Sequence, residues 1–239
     1  MRWGTIMKDF FGILGGMGTM ATENFVRTLD RLTETHSDQN FLNYLVFNHA
    51  CIPDRTAYIF DRTKDNPLPF LKEDIQQLNS LSADFVVITC NTAHYFLPEL
   101  TAIAKMPILN MPSLAVQACK KRTAGTLKIS ILATDGTIAS GLYQEKISAQ
   151  SDQAIIPDKE LQRQVMKFIY QDIKQNNRIE ADKYHHLVEK LLIKQKCDYV
   201  ILGCTEFSVA QEREPYISDR VIDAQQVLAN TAVSMAKNS

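Results

Sequence analysis

Two runs of seven residues in this chain superpose without a gap: Asp84-Phe85-Val86-Val87-Ile88-Thr89-Cys90 and Asp198-Tyr199-Val200-Ile201-Leu202-Gly203-Cys204. Each is a short apolar stretch of the kind that forms a strand buried on both faces, and each ends on a cysteine. A second pair follows the same order. Ile13-Leu14 leads to Gly18-Thr19-Met20-Ala21-Thr22, and Ile131-Leu132 leads at the same spacing to Gly136-Thr137-Ile138-Ala139-Ser140. The offsets of the two pairs are 118 and 114 residues. Buried strands rich in Val and Ile resemble one another, so one match carries little weight. Two matches in one order point to a chain built from two copies of an α/β unit.

The remaining pattern agrees. Apolar runs at 10–15, 43–50, 84–89, 107–110, 127–133, 198–203 and 220–223 read as strands, while 19–35, 70–82, 91–104, 113–122, 158–175, 181–196 and 224–237 have helical period. Pro112 and Pro157 stand near helix starts. This alternation predicts an α/β fold of two similar Rossmann-like lobes with parallel sheets, related by a pseudo-twofold axis, with the active site in the interlobe cleft. A break near Asn110-Met111-Pro112 and a return near Pro215 divide the chain into lobe 1, residues 1–112 plus 216–239, and lobe 2, residues 113–215. Cys90 and Cys204 then each end a parallel strand, where open α/β sheets take their ligands, and flank one cleft.

Charge and cysteine usage narrow the partners. The 26 basic and 27 acidic residues nearly cancel, with no basic stripe to neutralise a phosphate backbone, so nucleic acid is not expected. Met1-Arg2-Trp3 and the apolar run from Phe10 look superficially like a secretion signal, but Gly12, Gly15, Gly16 and Gly18 interrupt the run. No stretch approaches the roughly 20 apolar residues that span a bilayer, so no membrane is expected. Cysteines at 51, 90, 119, 197 and 204 are odd in number and form no CxxC pair, which argues against a disulfide framework or a structural metal. A reducing cytoplasm is the expected location, and Cys51, Cys119 and Cys197 read as small buried hydrophobes.

For the matched pair a chemical role is open. Two acid/base groups on opposite faces of a carbon can remove a proton from one side and deliver one to the other without a cofactor. A thiol, with an ordinary pKa of about 8.5, suits either part, and the helix starts expected after Cys90 and Cys204 favour a thiolate there. His94, four residues beyond Cys90, supports a competing reading as the partner of a single thiol nucleophile, although Cys204 has no nearby histidine.

Around the cysteines, Asn91, Thr92, Ala93 and Thr205 are small or hydrogen-bonding residues placed to bind a substrate or simply to cap a helix. Glu206 and His94 can orient a thiol or a substrate amine. The turn Gly15-Gly16-Met17-Gly18 lets backbone approach an anion at Met17, although a tight strand-to-helix turn alone would need such glycines. Asp135-Gly136-Thr137 is its counterpart in the second copy. Arg55, in Pro53-Asp54-Arg55-Thr56, falls in a loop after a strand, where a guanidinium can grip a carboxylate. Lys174 can supply a second cation, or no more than a favourable charge near a helix end.

Taken together, Gly15-Gly16-Met17-Gly18, Pro53-Asp54-Arg55-Thr56, Cys90-Asn91-Thr92-Ala93-His94 and Leu202-Gly203-Cys204-Thr205-Glu206 resemble the motifs of the aspartate/glutamate racemase superfamily along nearly the whole chain. The resemblance is closer to aspartate racemases than to glutamate racemases, which typically begin with Asp-Ser-Gly and carry histidine where Glu206 stands. It implies cofactor-independent racemisation of an acidic amino acid with Cys90 and Cys204 as catalytic acid and base. It also implies Arg55 and Lys174 on the distal carboxylate, Met17, Asn91, Thr92, Ala93, Thr205 and Glu206 around the substrate, and a homodimer. Thr19 departs from the proline many relatives carry there, and is expected to cap the following helix. Alternatives are a broader-specificity racemase, a decarboxylase or isomerase on the same scaffold, and a protein that binds an acidic amino acid without turning it over.

Overall fold

The structure is a computed structural model that describes residues 9–238; Met1-Arg2-Trp3, weighed above as a signal start, lies outside the described residues. The first half runs β1 (Phe10–Gly15), α1 (Thr19–Thr33), β2 (Asn43–Asn48), α2 (Arg55–Phe60), α3 (Leu68–Leu81), β3 (Val86–Ile88), a tight 3-10 turn (Thr92–Phe96), α4 (Leu97–Thr101) and α5 (Met111–Arg122). The second runs β4 (Lys128–Leu132), α6 (Asp135–Ala139), α7 (Leu142–Ser148), β5 (Gln153–Ile155), α8 (Lys159–Lys167) and a π-helical stretch (Phe168–Gln175). It ends with α9 (Ala181–Glu189), a second π-helical stretch (Lys190–Lys194), β6 (Tyr199–Leu202), α10 (Thr205–Arg213), β7 (Val221–Asp223) and α11 (Ala224–Lys237).

The two halves repeat one topology. The sheets are all parallel, in the orders β2-β1-β3 and β5-β4-β6-β7, so the first strand of each copy is flanked by its second and third. In the first half the fourth position is reduced to one bridge, Val86 to Ile108, where a strand over 107–110 was expected. Asn110 then caps α5 through Ser113 N (3.0 Å), as Asp223 at the end of β7 caps α11 through Gln225 N (2.9 Å). Cys90 and Cys204 each stand two residues beyond the strand they follow.

The terminal helices cross between copies. Helix α11 packs on α1 as well as α5, and α5 packs on α7. One core therefore runs through both sheets, from Phe11, Ile13, Phe85 and Val87 to Ile129, Ile131 and Ile201, with Val116 and Leu228 from the crossing helices. Residues 216–239 were expected with lobe 1. Their helix does pack there, but β7 pairs in parallel with β6 and so belongs to the second sheet.

Local chemistry also changes several expected boundaries. The segment 91–104 is not one helix: a 3-10 turn gives way to α4 at Leu97, where Pro98, lacking an N–H, starts a new helix more readily than it continues one. The cap position of α1 is Gly18, without a side-chain bond, and Thr19 is its first helical residue and does not cap. Gly16 has φ 82°, and a Cβ there would lie 2.4 Å from the carbonyl carbon of His49. Only glycine lets this turn lie against the chain leaving β2.

Candidate active site

Nine sequence-selected residues converge on one cavity: Met17, Arg55, Cys90, Asn91, Thr92, Lys174, Cys204, Thr205 and Glu206, joined by Asp54, Thr56, Thr134 and Tyr170. Both halves contribute to it, as the strand-end positions of the cysteines require. Ala93 is the exception, turned from within the 3-10 turn into the core, fully buried and absent from the cavity wall. The cavity has about 10 Å³ of free volume, room for roughly one water molecule. Outside it, a vestibule of about 390 Å³ shares Met17, Asp54, Arg55, Lys174 and Glu206 with the inner wall. A wider groove of about 630 Å³ beyond His94 holds neither cysteine, so size does not locate the chemistry.

Burial and pairing set each group. Cys204 is buried, and its Sγ donates to Glu206 Oε2 at 2.9 Å. Burial pushes this thiol well above its ordinary range, with the Glu206 charge adding to the rise, while Lys174 and the Glu206 amide pull the other way. The thiolate expected at this helix start is thus overruled: leaving water and facing a carboxylate outweigh the dipole of α10. Lys174 Nζ lies 3.2 Å from Glu206 Oε1 and 3.3 Å from the Met17 carbonyl oxygen. Burial works against its charge, but Glu206 and the two active-site thiols raise its pKa on balance.

Arg55 is not in an exposed loop. It is the first residue of α2, 7% exposed, with Asp54 capping the helix through Ala57 N (2.7 Å). Its guanidinium donates to the carbonyl oxygens of Met17 (2.9 Å), Ile52 (3.2 Å) and Pro53 (3.0 Å). Although burial opposes its charge, neighbouring Cys90 and Asp54 raise its pKa further. Two buried donor atoms on the cavity wall, Arg55 Nε and Asn91 Nδ2, have no hydrogen-bond partner, and Asn91 is held by Tyr143 from the second half, whose hydroxyl donates to Oδ1 at 2.5 Å. A closed site with unmatched buried donors is shaped for an acceptor such as a carboxylate.

His94 does not serve Cys90 as a base. Its Nδ1 bonds the Cys90 carbonyl oxygen (2.9 Å) and its Nε2 accepts from Met111 N (3.2 Å), which fixes a neutral ring whose proton lies on Nδ1. Burial holds its pKa below the usual histidine range. Cys119 and Cys197 are buried as expected, whereas Cys51 is exposed because it sits in the turn leaving β2.

The copies also meet through equivalent contacts. Gly18 of the first glycine turn lies against Glu206, two residues after Cys204; a Cβ there would be 2.7 Å from Oε1. In the other sense, Thr137 of the second turn meets Thr92, two residues after Cys90, hydroxyl to hydroxyl at 2.8 Å. Thr134 joins Thr92 (3.0 Å) and Thr137 (3.2 Å), and Thr56 donates to Thr134 (3.2 Å). Each half therefore braces the residue that follows the other's cysteine. Thr134 escaped sequence reasoning because a hydroxyl cluster drawn from three segments has no local signature; only its place before Asp135-Gly136-Thr137 pointed there.

A family model for Asp/Glu/Hydantoin racemase matches residues 14–232. The chain belongs to this family. The solved aspartate racemase of Picrophilus torridus superposes with a TM-score of 0.79 at 29% identity, covering 95% of this chain and 94% of that one. The broad specificity amino-acid racemase RacX of Bacillus subtilis is 25% identical over 230 residues, 93% of this chain and 96% of its own. The glutamate racemase of Oenococcus oeni is 26% identical over 207 residues, 79% of this chain and 73% of its own. Among the described residues, no helix is long and apolar enough to cross a membrane.

Within this racemase fold the Cys204–Glu206 contact makes a pH prediction. A carboxylate beside a thiol stabilises the protonated sulfur, so replacing it with a neutral amide lowers the thiol pKa. In Glu206→Gln, alkylation of Cys204 by iodoacetamide, followed by mass spectrometry, should begin at lower pH than in the parent. An unchanged alkylation profile would remove Glu206 as a determinant of that proton.

Proposed function

We propose that this chain is a cofactor-independent racemase of an acidic amino acid, aspartate ahead of glutamate, in which Cys90 and Cys204 are the paired base and acid. The observation that carries the reading is the single closed cavity, where the two topologically equivalent cysteines meet Arg55 and Lys174. The distal carboxylate of the substrate pairs with these two cations. The amides at the start of α10 and the Asn91 side chain face the other carboxylate, where negative charge grows as the α-proton leaves.

In the resting state Cys204 holds its proton against Glu206, and Cys90 lies beside the Arg55 guanidinium. From one enantiomer Cys90 as thiolate removes the α-proton and Cys204 delivers its own to the opposite face. The cycle leaves Cys90 protonated and Cys204 as thiolate, the state that accepts the other enantiomer. Both sulfurs must be free thiols, which agrees with a reducing cytoplasm.

The test is incubation of the pure protein with L-aspartate, and separately with L-glutamate, in deuterated water without pyridoxal phosphate. Enantiomer ratio and α-deuteration are followed together. Deuterated D-aspartate is the expected product, and no exchange with either acid removes the proposal. The likeness to RacX gives a second reading its specific ground: comparable turnover of neutral amino acids would replace the acidic preference with a broad one.

A further inference from the structure

Tyr170 is absent from the mechanism above, yet it ties together the two segments that carry the substrate-binding cations. Its hydroxyl donates to Asp54 Oδ2 at 3.1 Å across the cleft, a contact between residues 116 apart in sequence. The other oxygen of the same carboxylate, Oδ1, caps α2, whose first residue is Arg55. On its own segment Tyr170 lies four residues before Lys174, about one turn of a π-helical stretch, and Lys174 Nζ stands 5.4 Å from the centre of the Tyr170 ring. The two cations meet again at the Met17 carbonyl oxygen, which both of them reach. Arg55 is thus fixed to one end of the Tyr170–Asp54 bond and Lys174 to the other.

We propose that Tyr170, acting through Asp54, is a positioning residue that fixes where Arg55 and Lys174 stand relative to the two cysteines and so selects the length of the acidic side chain the site accepts. The inference rests on the acidic-substrate reading above and deepens it. A site whose cations are free to move adapts to one methylene more or less at little cost, whereas cations held at a fixed distance from the α-carbon between the cysteines match one chain length and strain against the other. The ring also supports the lysine stem, so removing the hydroxyl alone separates the link from the packing.

The test compares binding of L-aspartate and L-glutamate by calorimetry to the parent protein, Tyr170→Phe and Asp54→Ser. Phenylalanine keeps the ring and loses the link; serine still caps α2 but is too short to reach Tyr170. In the parent, one acid should bind at least 10-fold tighter than the other. In each variant the ratio should fall to within about threefold of one, and the double variant should add nothing further, as two partners in one link require. Circular dichroism of each variant checks folding, and if one fails to fold the other decides. A parent-like ratio in a folded variant overturns the proposal, as does a parent that binds neither acid or binds both alike. Selective binding without α-deuteration defeats the racemase reading alone and leaves the length-selection result standing.

Discussion

Replacing Cys90 or Cys204 with alanine should each reduce racemisation by about a thousandfold or more, while Cys119→Ala leaves it near the parent rate. The magnitude follows from the roughly 10²–10⁴-fold contribution of a positioned acid or base, and from the need for both partners in every turnover. Cys119 packs into the core from α5, away from the cavity, and burial pushes its thiol up to about 12, so no part in the exchange is expected of it. The single variants carry a second signature. With one sulfur left, a proton can still be taken from one face of the substrate and a deuteron returned to that face. Cys90→Ala and Cys204→Ala should therefore each catalyse slow α-deuteration of one enantiomer without inversion, and the enantiomer should differ between them. Equal loss of exchange from both enantiomers would point to a shared structural role for the two thiols. Because the equilibrium constant between enantiomers is 1, kcat/KM must be the same in both directions for any variant, so asymmetry has to be sought in isotope exchange or in kcat and KM separately.

What the sequence made legible is governed by what is local. The strand-end placement of both cysteines could be read because each follows a short apolar run whose geometry depends little on the rest of the chain. Their meeting in one cavity followed from the repeat, since equivalent positions in two facing copies approach each other. Arg55 was located by type but misjudged in setting, because a six-residue helix carries too little periodicity to announce itself and nothing local indicates burial. Lys174 was placed on a helix, yet its π-helical turn and its pairing with Glu206 depend on how the halves close. The Tyr170–Asp54 bond, the hydroxyl cluster about Thr134 and the backbone partners of His94 are long-range or main-chain contacts, to which hydrophobic periodicity is blind. The position of β7 shows the same limit: an apolar triplet declares a strand without declaring its neighbour.

Arg55→Lys should raise KM for the preferred acid by roughly 10- to 100-fold while changing kcat less than fivefold. A guanidinium offers a planar fork of donors, and in Arg55 part of that fork is already committed to three carbonyl oxygens that fix its plane. Arg55 lines the cavity and its Nε is a buried donor left without a partner, the one the proposed reading offers to a carboxylate. Lysine keeps the charge but loses the second directed bond, and a hydrogen bond to a charged group contributes about 1.5–3 kcal/mol, or roughly one to two decades in affinity. In the proposed mechanism that bond is made to the distal carboxylate, where charge does not change during proton transfer, so ground state and transition state lose it equally and the effect falls on KM. Arg55→Leu is predicted to behave differently. It strips the positive charge from beside Cys90, leaves the Ile52 and Pro53 carbonyl oxygens without their donor and leaves Met17 to Lys174 alone, so kcat and thermal stability should both fall. Steady-state kinetics on the two variants separates the parts Arg55 plays. A large kcat loss in Arg55→Lys with unchanged KM would move the residue from substrate recognition to the proton-transfer step itself.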